Sequence, residues 1–199
     1  MKGRDIVRRD PLPALLLAAG FVLTSVVAYW LVWATGAALL GSAHGESRLA
    51  WIASSVTLAF FLLIEVRVLR FGVLMWHRQT PKWFVHKYGD RASAFLWGLD
   101  AGLVVTTYRV TSLSWAAFCL AFLGAIPWWS GVIYAAGFVI PELVLNLALP
   151  RRADFRQADP EPGWVMDAMM RLRPVTRWAG VGALIMGAGV ATVTAAAGV

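Results

Sequence analysis

Three ionisable side chains lie inside long apolar stretches of this sequence, where a lipid-exposed helix would carry none. Asp100 and Arg109 fall within the segment WGLDAGLVVTTYRVTSLSW, and Glu142 follows Pro141 in PELVLNLALP. A charged side chain at the centre of a bilayer costs about 2.5–3.5 kcal/mol on insertion scales, so such residues usually face a protein interior and have partners there. Their presence therefore indicates a shielded polar site inside the protein.

Hydroxyl side chains cluster around Arg109 and are expected to line that site. Thr and Ser hydroxyls bond the carbonyl groups that a helix break sets free, so the stretch TTYRVTS is expected to be unwound and to line a cavity. Transporters use broken helices in this way, with half-helix ends aimed at a polar ligand near the bilayer midplane. We therefore predict that a substrate or a proton binds at Asp100, Thr106, Thr107, Arg109, Thr111 and Glu142.

Two other interpretations of these charges stay open. Arg109 could form a buried structural ion pair with an acid such as Glu142, or it could extend to the outer headgroups. Asp100 and Arg109 are nine residues apart, which is about 900° of helical rotation, so a straight helix would point them to opposite sides. Glu65 lies at the inner end of the second apolar run, beside Arg67, and is expected to reach toward the inner headgroups.

The residues that redox and metal chemistry require are scarce. Cys119 is the only cysteine, which excludes an intramolecular disulfide and a Cys-x-x-Cys pair. All three histidines, His44, His77 and His86, are predicted in loops, so no paired haem ligands are expected inside a bundle. The sequence contains no phosphate-binding glycine loop, nucleophile elbow or zinc-protease motif. We therefore expect no cofactor, no metal and no catalytic residue.

The elements that must position these residues are apolar helices. Of the 199 residues, 59% are hydrophobic and 15% are charged, and charge-free runs recur at 12–44, 49–64, 110–141 and 179–199. Each run exceeds or approaches the roughly 20 residues that cross about 30 Å of hydrocarbon. We therefore predict an all-α, polytopic membrane helix bundle that forms a single domain over residues 1–199.

The segment 93–149 decides the number of crossings. It contains three short apolar pieces, and three crossings would place the basic cluster at 151–177 outside, against the tendency of basic loops to stay in the cytoplasm. Pieces of about 16 residues also span only about 24 Å. We therefore predict one long broken helix, interrupted near residues 109–112, a turn at PWWSG and a returning span at 131–149. This makes about five spans, with six as the alternative.

Basic residues set the predicted orientation. Of 18 Lys and Arg, four lie in residues 2–9, six in 67–91 and six in 151–177. Such clusters favour the cytoplasmic side, which predicts a cytoplasmic N-terminus and cytoplasmic loops at about 67–92 and 150–178. The clusters form no contiguous basic patch, so no nucleic-acid partner is expected. Abundant Arg, Ala, Gly and Trp are typical of a GC-rich bacterial genome, and hence of a bacterial plasma (inner) membrane.

Small residues recur every four positions in two of the predicted spans. These ridges consist of Ala183, Gly187, Ala191 and Ala195 in the last span, and of Gly98, Gly102 and Thr106 in the broken span. Small residues allow helix backbones to approach closely, so we predict packing seams within a compact bundle. The same property would suit a homo-oligomer or a membrane-protein partner within the lipid bilayer.

The stretch RQTPKWFVHKYGDRASAFLWGLDAGLVVTTYRVTSLSW resembles the second half of the transmembrane thiol-disulfide carrier family of cytochrome c biogenesis. The resemblance covers about residues 78–198 and rests on Gly98, Gly102, the Thr-rich break and the order of the spans. It implies a discontinuous helix after a cytoplasmic loop, followed by two more spans. The family's cysteine in the broken helix is absent here, with residues 106–111 in its place. The resemblance therefore implies a retained scaffold without redox chemistry, and a role in transport or assembly.

Three functions follow as hypotheses. The first is a small transporter or permease-like protein, with the broken span as its site. The second is a non-catalytic membrane subunit or assembly factor for a partner complex. The third is an electron-transfer component that acts through Cys119 and an external thiol partner.

Overall fold

The described part of the molecule is entirely helical. The computed structural model of the chain describes residues 11–45, 47–68, 83–103, 112–148 and 163–197. Within these ranges a short 3-10 turn at Gly41–Ala43 accompanies six α-helices, which confirms the predicted helical bundle. The helices are α1 (Leu12–Leu40), α2 (Arg48–Glu65), α3 (Trp83–Gly102), α4 (Leu113–Leu123), α5 (Ser130–Ala148) and α6 (Gly163–Ala197).

Several of these helices suit a membrane. The segments Leu12–Ala43, Arg48–Glu65 and Pro174–Ala197 are long and apolar enough to cross a bilayer, and Leu113–Leu123 and Ser130–Pro141 are shorter apolar helices. Their surfaces carry large apolar side chains that a water-soluble protein would bury. Length, composition and surface together fit a membrane location.

Helix α1 is the centre of the bundle, because α3, α4 and α5 all pack against it while α6 packs along α2. Two fully buried aromatic residues of α1 make the key contacts. Phe21 stacks on Phe138 of α5 with a ring-centroid distance of 4.1 Å, and Tyr29 packs against Phe118 of α4 at 4.7 Å. The buried residues of α1 thus contact three different neighbouring helices.

The predicted small-residue ridges are packing seams inside the chain. A Cβ added at Gly98 would clash with the carbonyl oxygen of Leu17, and one added at Gly102 would lie 2.7 Å from the carbonyl oxygen of Phe21. On α6, Ala191 and Ala195 are buried and a Cβ at Gly187 would meet the side chain of Leu58. Ala183 is exposed, and Thr106 lies outside the described residues.

Helices α3 and α4 lie on either side of the predicted break, and both pack against α1. Helix α3 ends at Gly102, whose carbonyl accepts a hydrogen bond from the Ser25 hydroxyl of α1 at 3.4 Å. Helix α4 begins at Leu113 and contacts α1 farther along, where Phe118 meets Tyr29. The predicted interruption near 109–112 falls mostly outside the described residues, which resume at Ser112.

Two of the predicted loops are partly helical. The segment 83–92, assigned to a loop, belongs to α3, with one non-helical residue at Gly89 (φ 72°, ψ 171°), so His86 lies in a helix and not in a loop. Helix α6 begins at Gly163, well before the predicted start of the last span at 179. Hydropathy finds only the stretch that lipid must cover, whereas a helix can continue beyond the bilayer with polar residues.

Candidate ligand site

Glu65, the last residue of α2, is buried, with only 7% of its surface exposed. Its Oε2 atom accepts hydrogen bonds from the backbone N–H of Ser112 at 2.9 Å and from the Ser112 hydroxyl at 2.8 Å. Ser112 immediately precedes α4, where backbone N–H groups lack intrahelical partners and the helix dipole favours a negative charge. The expectation that Glu65 reaches toward the headgroups is therefore wrong, because its carboxylate binds the start of α4.

Arg177 of α6 binds the backbone of the same residue. Its Nε and Nη2 atoms donate to the carbonyl oxygen of Glu65 at 3.1 and 2.8 Å. That carbonyl lies at the C-terminus of α2, where the helix leaves acceptors free and a cation is favourable. Glu65, Ser112 and Arg177, the Glu65 junction hereafter, thus join α2, α4 and α6 at the point where the broken span resumes.

A crevice of about 660 Å³ lies between α4 and α5, which both pack on α1. This volume is within the range of about 300–1,000 Å³ that small-molecule sites occupy. Most of the lining is apolar and includes Leu113, Ile133 and Phe138. Hydroxyl groups come from Tyr29, Ser114, Ser130, Tyr134 and Thr176. The α4–α5 crevice is therefore suited to an apolar molecule with a few hydrogen-bonding atoms.

Ser114 lines the crevice, and its hydrogen-bonding capacity is unmet within the described part of the chain. It is 8% exposed, and the described residues offer no hydrogen-bond partner to its Oγ. Other hydroxyls in the chain donate to the carbonyl four residues earlier, as Ser54 does to Ala50 at 2.7 Å. Ser114 is the second residue of α4, so the residue four positions earlier precedes the helix. A buried hydroxyl that lacks a partner in the described part of the chain is one that an occupant of the crevice could bond.

Stacked aromatic rings form one wall of the crevice. Tyr134 of α5 lies 5.8 Å from Phe21 and 5.7 Å from Tyr29, measured between ring centroids. Phe138, one turn along α5, stacks on Phe21 with an interplanar angle of only 7°. Rings held by several neighbours move little, so this wall is a preformed apolar surface.

The Glu65 junction and the crevice share the same helix ends. Ser112 of the junction is two residues from Ser114, and Arg177 follows Thr176, which lines the crevice. The junction therefore fixes the position of the half-helix that presents Ser114. Cys119 is half-buried and packs against the apolar cluster formed by α2, α4 and α6.

Only part of the predicted site lies within the described residues. Asp100 is half-buried in the last turn of α3, two residues before Gly102. Glu142 belongs to α5, which continues through Pro141, but its side chain is outside the described part. Thr106, Thr107, Arg109 and Thr111 also lie outside the described residues. Substrate binding at these six positions stays a prediction, whereas the junction and the crevice are sites that the prediction did not include.

The fold and the crevice together define a helical membrane protein with a ligand-sized site between α4 and α5. No protein-family model, curated protein or solved structure matches this chain.

Proposed function

We propose that this chain is a small transporter whose substrate binds in the α4–α5 crevice. The observation that supports this most is Ser114, a buried hydroxyl at the resumption of a broken span, which faces a cavity and has no partner among the described residues. Transporters bind ligands at such breaks, because unwound backbone and half-helix ends supply polar groups near the bilayer midplane. The proposal includes five spans, a cytoplasmic N-terminus and a bacterial plasma membrane.

Different contacts hold α4 and α5, which supports relative movement at the crevice as well as binding there. Helix α4 is held at its start by Glu65 and at its end by a hydrogen bond from the Gly45 N–H to the carbonyl of Leu123 at 3.0 Å. Helix α5 packs mainly on α1. In our proposal α4 and the α1–α5 pair move relative to each other, and this opens and closes the crevice. The predicted residues Asp100, Thr106, Thr107, Arg109, Thr111 and Glu142 continue the pathway in this scheme.

The test is uptake into proteoliposomes over a panel of metabolites and lipid-soluble compounds. Ser114→Leu removes the hydroxyl and fills space in the crevice, so it should reduce the initial rate at least 10-fold. Thr35→Leu is the matched control, because Thr35 is exposed on α1 and donates only to the carbonyl of Leu31 in its own helix. Transport at the wild-type rate by a folded Ser114→Leu protein would refute the crevice as the pathway.

A second proposal is a non-catalytic membrane subunit, and one face of α6 favours it. A Cβ added at Gly182 or Gly189 would meet nothing within 4 Å, and Ile185 and Met186 between them are exposed. Residues seven apart share a helix face, and small residues there would let a partner helix approach closely. Purification in mild detergent with native mass analysis separates the two proposals. A stable stoichiometric partner that Gly189→Leu releases would favour the subunit.

A further inference from the structure

We infer that the α4–α5 crevice takes an uncharged, lipid-soluble amphiphile, a molecule with an apolar body and a carbonyl or hydroxyl group. This inference rests on the proposed function and names the class of its substrate. Three properties of the described residues carry it: the absence of charge in the lining, the lateral opening of the crevice, and the position of Ser114 relative to the aromatic wall.

The described lining is polar without being charged. It presents hydroxyl groups among apolar side chains and contains no Asp, Glu, Lys or Arg. A charged ligand would lose its hydration there without gaining a counter-charge, at a cost of several kcal/mol. The charges of the adjoining Glu65 junction already have partners, because Glu65 accepts from Ser112 and Arg177 donates to the carbonyl of Glu65. The lining therefore selects against ionic ligands.

The crevice opens sideways on the apolar surface of the bundle. Ile133 lines it and is nevertheless 63% exposed, and the neighbouring Trp129 and Val132 are also exposed. In a membrane protein such surface lies against lipid. A molecule dissolved in the bilayer can thus enter between α4 and α5 without crossing water, which favours a ligand that partitions into the membrane.

Ser114 and the aromatic wall recognise different parts of the ligand. The rings of Tyr134 and Phe138, both stacked on the buried Phe21, offer a flat surface to an apolar chain or ring. The Ser114 hydroxyl can donate to a ligand carbonyl or accept from a ligand hydroxyl. A buried hydrogen bond of this kind discriminates against a pure hydrocarbon, because the hydrocarbon would leave the hydroxyl unsatisfied.

The experiment is photocrosslinking to the full-length protein in phosphatidylcholine liposomes. One probe is a monoacylglycerol with a diazirine in its acyl chain, and the other is a lysophosphatidic acid with the same chain. We expect the neutral probe to label peptides 113–117 and 130–138 saturably, with competition by unlabelled monoacylglycerol. Ser114→Ala should weaken this labelling about 3- to 10-fold, the value of one net hydrogen bond. Ser54→Ala, a buried serine bonded within α2, should leave it unchanged.

Stronger labelling of the crevice by the phosphate-bearing probe would overturn the inference. So would labelling by the neutral probe that is no stronger at the crevice than at the lipid-exposed Leu31. The uptake assay distinguishes failure of the proposed ligand class from failure of the proposed transport function. Saturable transport of a charged solute that Ser114→Leu abolishes would keep the transporter and refute the neutral ligand. Saturable crevice labelling without transport of any compound would refute the transporter and keep the ligand class.

Discussion

Glu65 and Ser112 are 47 residues apart in sequence and are joined by two hydrogen bonds, both to the same carboxylate oxygen. One comes from the backbone N–H that precedes α4, and the other from the side-chain hydroxyl. The buried carboxylate thus acts as a cap supplied by another helix, because Ser112 itself makes no side-chain cap hydrogen bond to α4. This contact defines where the second half of the broken span begins, and with it the position of Ser114.

Replacing Glu65 by Ala should destabilise the protein by about 1.5–3 kcal/mol, the usual contribution of a hydrogen bond to a charged group. Glu65→Gln should cost less, because its amide oxygen can still accept from Ser112. The measurement is thermal unfolding in detergent, monitored by circular dichroism. Ser54→Ala, in the same helix and fully buried, is the control and should have a small effect, because it removes only a bond to its own helix. Equal stability of Glu65→Ala and wild type would contradict the role assigned to the junction.

Arg177 is expected to be poorly replaced by lysine. Its guanidinium directs two N–H groups at the Glu65 carbonyl, whereas an ammonium group is a point charge on a flexible stem. Arg177→Ala should speed amide hydrogen exchange at the C-terminal turn of α2, and Arg177→Lys should give an intermediate rate. Exchange in α1 is the internal reference. A lysine variant with wild-type protection would show that charge alone, rather than the fork geometry, holds the carbonyl.

The seam between α1 and α3 should not tolerate a methyl group. Gly98→Ala places a Cβ against the Leu17 backbone, which cannot turn away as a side chain can, so we expect a loss of about 1–3 kcal/mol or more. Gly189→Ala is the matched control, because an added Cβ there meets nothing within 4 Å. It should be neutral or slightly stabilising, since alanine favours a helix by about 1 kcal/mol over glycine. Unfolding midpoints of the two variants in the same detergent provide the comparison.

Hydropathy predicts the bounds of the long apolar helices well, but it does not predict which residues contact one another. The apolar runs that predict α1, α2 and α5 end within a few residues of the observed helix ends. This is because a segment that lipid covers must be apolar in its local composition. The predicted position of the Glu65 side chain is wrong because its partner, Ser112, is distant in sequence, and no local pattern reveals a tertiary hydrogen bond. The sequence placed Arg177 in a loop for a related reason, since a charged turn of helix outside the apolar run resembles a loop.

The sequence predicts only part of the environment of Ser114. Helical spacing groups it with Asp100 and Thr111, and the Thr-rich stretch before it indicates a break. The crevice that it lines between α4 and α5 depends on how both helices pack on α1. Packing of this kind has no signature in hydropathy or in spacing.

The contacts between helix ends make the five-span proposal testable. Gly45 and Leu123 are hydrogen-bonded, so the turns after α1 and α4 lie at the same end of the bundle. The Thr192 hydroxyl lies 3.3 Å from that of Ser55, and α6 runs on from the Glu65 junction toward the start of α2, so its C-terminus points to the same end. With five spans and a cytoplasmic N-terminus, that end is external.

Single cysteines at Gly45, Ala125 and Ala197 should therefore all react with a membrane-impermeant maleimide in intact cells. The background is Cys119→Ser, which removes the lone thiol, and a cysteine at Lys87 in α3 is the internal control. It should react only after permeabilisation, because α3 approaches the bundle from the proposed cytoplasmic side. Labelling of Gly45Cys without Ala197Cys would place the C-terminus inside. That result would favour an even number of crossings, and the six-span alternative would then replace the broken helix as the account of residues 93–149.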